Sequence, residues 1–281
     1  MTGSIQLPDT TSLGRVDLAV ADRSDVIEFY TDVIGLEVLE SHTDTVDLGV
    51  DEHVLVRLTE RPELPPRPQE AAGLFHLALR VPHRDALAEA ARRLVDRNEL
   101  SGASDHAVSE ALYTADPAGN GIEVYCDRPR DEWPISGDTV QMTTRPLDLD
   151  ELMSQQSGSG GAHLPPTSDL GHIHLEVTDL DRSLDWYVSQ LGFKERATYE
   201  GARFVAAGGY HHHVGLNVWN HRRSPLSGLG LERFTLHVPD VDVRQEIENR
   251  LRAEGVPIET KGADHSLRLV DPDGIEIDIG P

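Results

Sequence analysis

Apolar and polar residues alternate along Leu13–Val20 and again along Leu170–Val177, as in a strand with one buried face. Each run passes through an Asp into a stretch with apolar residues at helical spacing. The two segments, LGRVDLAVADRSDVIEFYTDVIGL from Leu13 and LGHIHLEVTDLDRSLDWYVSQLGF from Leu170, coincide at a constant offset of 157 residues. Asp22 falls on Asp179, Tyr30 on Tyr187 and Gly35 on Gly192, while Arg15 falls on His172. The spacing predicts a strand and then a helix of about three turns, closed by the glycine, which enters a left-handed conformation without a side-chain clash. Two further strands are predicted behind each helix, over 45–48 and 54–58 in the first copy and over 202–207 and 214–219 in the second.

A second kind of segment follows each of these. GLFHLALRVPHRDALAEAARRLVDR, from Gly73, reads as a strand and then a helix after the Pro82 turn. HAVSEALYTADP and GIEVY then read as strands joined by the turn DPAGNG. LERFTLHVPDVDVRQEIENRLRAEG and ADHSLRLVDPDGIEIDI repeat this order, and Phe75-His76 falls on Glu232-Arg233 at the same offset. The expected organisation is therefore α+β: four βαβββ modules in a-b-a-b order, over 13–60, 73–127, 170–220 and 230–281. The Pro-rich RPELPPRPQEAAG joins the first two modules. The longer connection, 128–169, ends in QQSGSGGAHLPP, which reads as an exposed linker, with WPISGDTVQM and LDLDELM packing locally. A sheet of this kind leaves open edges, so modules should join in pairs as two cupped, incomplete β-barrels whose concave faces carry a site.

Composition narrows the partners. A length of 281 residues accommodates two domains of ordinary size. The formal net charge of −24, spread along the chain, argues against nucleic acid and anionic membrane surfaces. No run approaches the roughly 20 apolar residues of a membrane span, and the start, MTGSIQLPDTTS, has no signal pattern. A cytoplasmic protein is expected. Cys126 is the only cysteine, which excludes an intrachain disulfide and a cysteine-rich metal knuckle. Lys194 and Lys261 are the only lysines; so acidic and lysine-poor a chain is in the style of salt-adapted, halophilic proteomes.

Four such modules, with the motifs GHIHLEVTDLDRSLDWY, FHLALRVP, YHHHVGLNVW and DHAVSEALYTADPAGNGIEVY, resemble the vicinal oxygen chelate superfamily, which includes glyoxalase I and the type I extradiol dioxygenases. They look most like the catechol 2,3-dioxygenase branch, and the resemblance covers nearly the whole chain outside the linker. It implies a metal held from the first strand of an a module, the first strand of a b module and a Glu on the last strand of the b module. The first-strand positions are Arg15, His76, His172 and Arg233, and the last-strand acids are Glu123 and Glu276. A guanidinium has no free lone pair and cannot ligate a cation. Pairing in sequence order therefore gives neither half two histidines. Pairing the second module with the third unites His76, His172 and Glu123, a 2-His-1-carboxylate set of the kind used by non-haem Fe(II) oxygenases. Modules one and four are left with Arg15, Arg233 and Glu276, which suit an ion pair. The monomeric four-module glyoxalases are similar in joining their middle two modules.

The same resemblance points to His106 and Tyr113 as hydrogen-bonding groups near the metal, and to His212 as the histidine that handles protons. A histidine on a strand is most often a hydrogen-bonded core residue; His76 and His172 stand apart because they occupy equivalent repeat positions. Tyr113 reads equally as a core tyrosine, and His174 and His237 weigh less. In a strand His211, His212 and His213 would alternate faces, so at most two would look inward, and periodicity leaves His213 open as a further ligand. The expected activity is an extradiol dioxygenase using Fe(II), with Mn(II) or another divalent metal as the alternative, acting on a small aromatic diol and O2; a homo-oligomer is compatible with this. The alternatives are a glyoxalase-like isomerase or lyase, for which 216–220 supplies no Glu base, and a metal-free sequestering protein of the bleomycin-resistance type.

Overall fold

In the last three repeats the strand-to-helix turn carries an acceptor that satisfies the first free N–H groups of its helix. Asp179 accepts from Arg182 N at 3.1 Å, Asp240 from Asp242 N and Val243 N, and His83 Nδ1 from Ala86 N. In the computed structural model, which describes residues 6–154, 161–261 and 266–281, the four repeats follow as βαβββ units. The first contains β1 Ser12–Val20, α1 Ser24–Glu28, β2 Glu37–Ser41, β3 Thr45–Val50 and β4 His53–Glu60. The second contains β5 Gly73–Arg80, α2 Arg84–Asp96, β6 Gly102–Asp105, β7 Ser109–Ala115 and β8 Gly121–Asp127. After the connection come β12 Asp169–Glu176, α4 Leu180–Ser189, β13 Lys194–Tyr199, β14 Ala202–Ala206 and β15 Val214–Asn217. The last repeat has β16 Gly230–His237, α5 Val241–Ala253, β17 Ile258–Lys261, β18 Ser266–Val270 and β19 Glu276–Gly280.

Within the last three repeats the first strand pairs in parallel with the last, and the remaining strands form antiparallel hairpins. With β11 (Arg145–Pro146) from the connection, the strands form a sheet of order β11-β6-β7-β8-β5-β12-β15-β14-β13 and another of order β17-β18-β19-β16-β1-β4-β3-β2.

The described residues cluster into two compact units, one from 1–17, 65–75 and 172–281, the other from 18–64 and 76–171. Each is organised by the same buried pair. In one, Tyr187 of α4 donates to Asp271 in the turn between β18 and β19, at 3.2 Å. In the other, the Tyr30 hydroxyl faces Asp116 in the turn between β7 and β8, at 3.5 Å. Burial pushes both carboxyls above their ordinary value, Asp271 to about 6, against backbone N–H groups that pull them down.

The first repeat departs from its expected continuous helix. After Glu28 the chain widens into a π-helical turn, Phe29–Ile34, which buries Phe29, Tyr30, Val33 and Ile34 together. The carbonyls of Val33 and Ile34 accept from the Arg93 guanidinium of α2. Gly35 then closes the helix at φ 93°, and Gly192 stands at φ 87° at the equivalent place.

The long connection is built rather than bare up to residue 154. Ile135–Ser136 (β9) pairs with Thr139–Val140 (β10), Arg145–Pro146 (β11) extends the sheet at β6, and Leu149–Ser154 (α3) buries Leu152. QQSGSG, read from sequence as part of an exposed linker, lies outside the described residues. Farther on, Leu164 is buried and its N–H donates to Gly35 O.

Candidate metal centre

Period-two geometry puts residues two apart on one face of a strand. On β5 and β8 this brings His76 and Glu123 together, both buried, with His76 Nε2 3.0 Å from Glu123 Oε2. Tyr113 of β7 lies directly across from Glu123 in the ladder. Its hydroxyl is 2.7 Å from His106 Nε2, and His106 Nδ1 is 2.6 Å from Thr143 O. A carbonyl only accepts, so His106 carries its proton on Nδ1 and takes the Tyr113 proton at Nε2. Burial first, then the neighbouring Glu123 carboxylate, pushes the Tyr113 phenol well above its ordinary value, so it stays a donor at neutral pH.

On β12, His172 and His174 share the other period-two pair, and both are buried. The His172 ring packs 4.2 Å from that of His212, and His174 Nε2 is 2.9 Å from His212 Nε2. His212 Nδ1 in turn lies 2.7 Å from His211 Nδ1. The triple-histidine run precedes β15, so the alternation expected of a strand does not hold there; all three side chains are buried. His213 turns away from His212, accepting from Ala207 N and packing on Tyr210.

His172 and His174 present imidazole nitrogens from one face of β12, while His76 and Glu123 present an imidazole and a carboxylate from β5 and β8. Bonds of ~2.1 Å at right angles hold two donors ~3 Å apart, and the His76–Glu123 separation of 3.0 Å meets that value. Imidazole nitrogens with one carboxylate oxygen form a donor set suited to Fe(II), Mn(II) or Zn(II). The residues present therefore fit a divalent cation. His174 was the member weighted least from sequence. The available signal was its position two residues beyond His172, on the same strand face.

The equivalent positions in the first and fourth repeats hold charge pairs. Arg15 donates to Asp17 at 2.5 Å, and Arg233 lies 3.5 Å from Asp17 and 3.3 Å from Glu276. Arg268 grips Asp278 through two hydrogen bonds of 2.7 Å. Strand register also revises one correspondence. Glu123 pairs with Ala78 of β5, and the residue pairing with the matching Thr235 of β16 is Asp278, not Glu276. Both acids stand seven residues after the Asp of their Asp-Pro turn. His265 lies outside the described residues, and His237 bonds Pro281 O at 2.8 Å.

The repeated βαβββ fold defines a class. The model of the Glyoxalase/Bleomycin resistance protein/Dioxygenase superfamily matches residues 12–124 and 169–279, and the chain belongs to that family. A protein of Bacillus subtilis (strain 168) named catechol-2,3-dioxygenase is 37% identical over 272 residues, covering 94% of this chain and 95% of its own. Among solved structures, a putative dioxygenase from Bacillus subtilis subsp. subtilis str. 168 superposes with TM-score 0.68 at 12% identity, over 99% of this chain and 86% of that one. Glyoxalase I from Zea mays does so with TM-score 0.58 at 15% identity, over 96% and 92%. At these identities the two structures show the fold alone. Among the described residues no helix is long and apolar enough to cross a membrane.

Proposed function

We propose that this chain is a divalent-metal-dependent extradiol dioxygenase that opens a catechol-type ring beside its diol. The observation that carries the reading is the buried meeting of His76 and Glu123 at 3.0 Å. The full-length likeness to a protein named catechol-2,3-dioxygenase supports it. His76, His172 and Glu123 would hold Fe(II), the metal favoured by a 2-His-1-carboxylate set, with Mn(II) as the alternative. When bound, the metal supplies adjacent coordination positions for the two diol oxygens and for O2.

The protein's own part is placement and protons. His212 takes a proton from the entering diol at a ring nitrogen released from its contact with His174 or His211, and its buried setting against His172 and His174 keeps bulk water from competing. Tyr113 stays protonated beside Glu123, and when the diol enters it turns its one hydroxyl hydrogen from His106 Nε2 to charge developing on a substrate oxygen. The buried Phe204 beside His174 and His212 adds an apolar wall.

The test is oxygen uptake by Fe(II)-loaded protein with catechol, followed by mass spectrometry of the product made under 18O2. Both labelled atoms should enter one ring-opened product, and Glu123→Ala should lower bound metal below a tenth of one ion per chain. Absence of uptake by a fully metal-loaded protein across simple catechols would reject the reading. A redox-neutral isomerase would consume no oxygen.

A further inference from the structure

We infer that His174 is the positioning residue of His212, fixing its ring orientation and tautomer, and is not itself a metal ligand. The inference deepens the ring-cleavage reading and rests on it.

Three imidazoles stand in a line: His174 Nε2 to His212 Nε2 at 2.9 Å, then His212 Nδ1 to His211 Nδ1 at 2.7 Å. An imidazole with one ring proton donates from one nitrogen and accepts at the other. The middle ring of such a line is therefore set by its neighbours, and which nitrogen of His212 carries its proton depends on His174 at one end and His211 at the other. Nε2 of His174, shared with His212, is not offering its lone pair to a cation, so a ligand role would fall to Nδ1 alone, and the metal content of His174→Ala decides it. His174 thus sits beside the ligand cluster while its Nε2 is committed elsewhere.

The backbone makes room for this arrangement at one place. Gly215 of β15 lies directly across from His174 in the ladder. A Cβ there would sit 2.4 Å from His174 Cδ2 and 2.5 Å from Nε2. Any larger residue would push the ring off its partner. The registers in the second and fourth repeats place Glu123 and Asp278 at this same ladder position. The third repeat has a glycine there and fills the space with the His174 ring. The far side is closed by His211, fully buried and packed on Tyr210 at 4.0 Å, and by Phe204 at 5.1 Å from His212. His212 is thereby bracketed from both ends.

The experiment compares His174→Ala, His174→Gln and Gly215→Ala in metal-loaded protein, with three readouts. Metal content should stay near one ion per chain in all three. With catechol, kcat should fall on the order of 100-fold in H174A and G215A with KM within about twofold, and H174Q, whose amide can meet His212, should recover about tenfold. In protein loaded with diamagnetic Zn(II), the 15N resonances of His212 should change tautomer pattern in H174A and G215A and return toward the parent pattern in H174Q. Loss of metal in H174A would make His174 a ligand and overturn the inference. So would a His212 spectrum indifferent to all three changes, or a kcat that H174Q leaves as low as H174A. Failure of the parent protein to take up oxygen would instead strike the ring-cleavage reading, while the Zn(II) spectra would still decide the positioning.

Discussion

Replacing Glu176 by Gln should destabilise the chain by about 2–3 kcal/mol, because this one carboxylate ties the 61–75 connector to β12. Glu176 is 1% exposed. Its Oε2 accepts from Arg67 Nη2 at 2.7 Å and Arg222 Nη2 at 2.9 Å, and its Oε1 from Asn220 Nδ2 at 2.5 Å. The two arginines are also spent on the connector itself: Arg67 Nη1 donates to Leu74 O, and Arg222 Nη1 to Gln69 O. Burial lowers the Arg67 pKa from its ordinary value, a sign that its charge is held at a cost and needs the acid beside it. Removing one member of a fully buried pair costs about 3–5 kcal/mol. Arg67 and Arg222 are 24% and 11% exposed, so water recovers part of that loss. Glutamine keeps the shape and one acceptor, so the remainder reports charge. At about 2–4 °C per kcal/mol for a chain of this size, the melting temperature should fall by about 5–10 °C. Differential scanning calorimetry measures this, and limited proteolysis should show new cleavage between Arg61 and Gly73. A melting temperature within about 1 °C of the parent, with the connector still protected, would refute the reasoning.

Two further outcomes follow from buried groups. Asp271, pushed up to about 6 by burial, binds its proton more tightly folded than unfolded, where the ordinary value is 3.8. Its contribution to stability therefore grows as pH falls through 6 and is lost as pH rises through that value, by about 3 kcal/mol in all. Urea melts of the parent and Asp271→Asn between about pH 4.5 and 7.5 should show the parent gaining on the variant as pH falls; a difference independent of pH would contradict the burial argument. Gly171→Ala should cost about 2–3 kcal/mol, because its Cβ would lie 1.8 Å from the hydroxyl of the fully buried Tyr125. A urea midpoint within error of the parent would show that the ring can move.

Much of the architecture is written locally. The offset of 157 residues, the strand-then-helix periodicity and the Asp caps are one-dimensional features. Gly35 and Gly192 stand at positive φ, where the repeat pattern puts glycines at the helix ends. The family likewise follows from motifs that survive as short strings. Local periodicity was less informative where packing intervened. The π-helical turn at Phe29–Ile34 arises because four apolar side chains and two carbonyls serving Arg93 outweigh regular i to i+4 bonding. The run His211–His213 escapes strand alternation because it sits in a bend ahead of β15.

The sequence by itself determined the repeat, its element order and the residue types that stand at equivalent strand positions: imidazole in two repeats, guanidinium in the other two. Only the tertiary structure decided which strands are neighbours and in what register, because hydrogen bonds between distant strands are indifferent to chain order. That choice makes Asp278 the counterpart of Glu123. It also turns His174, an ordinary strand histidine by pattern, into a neighbour of both His172 and His212.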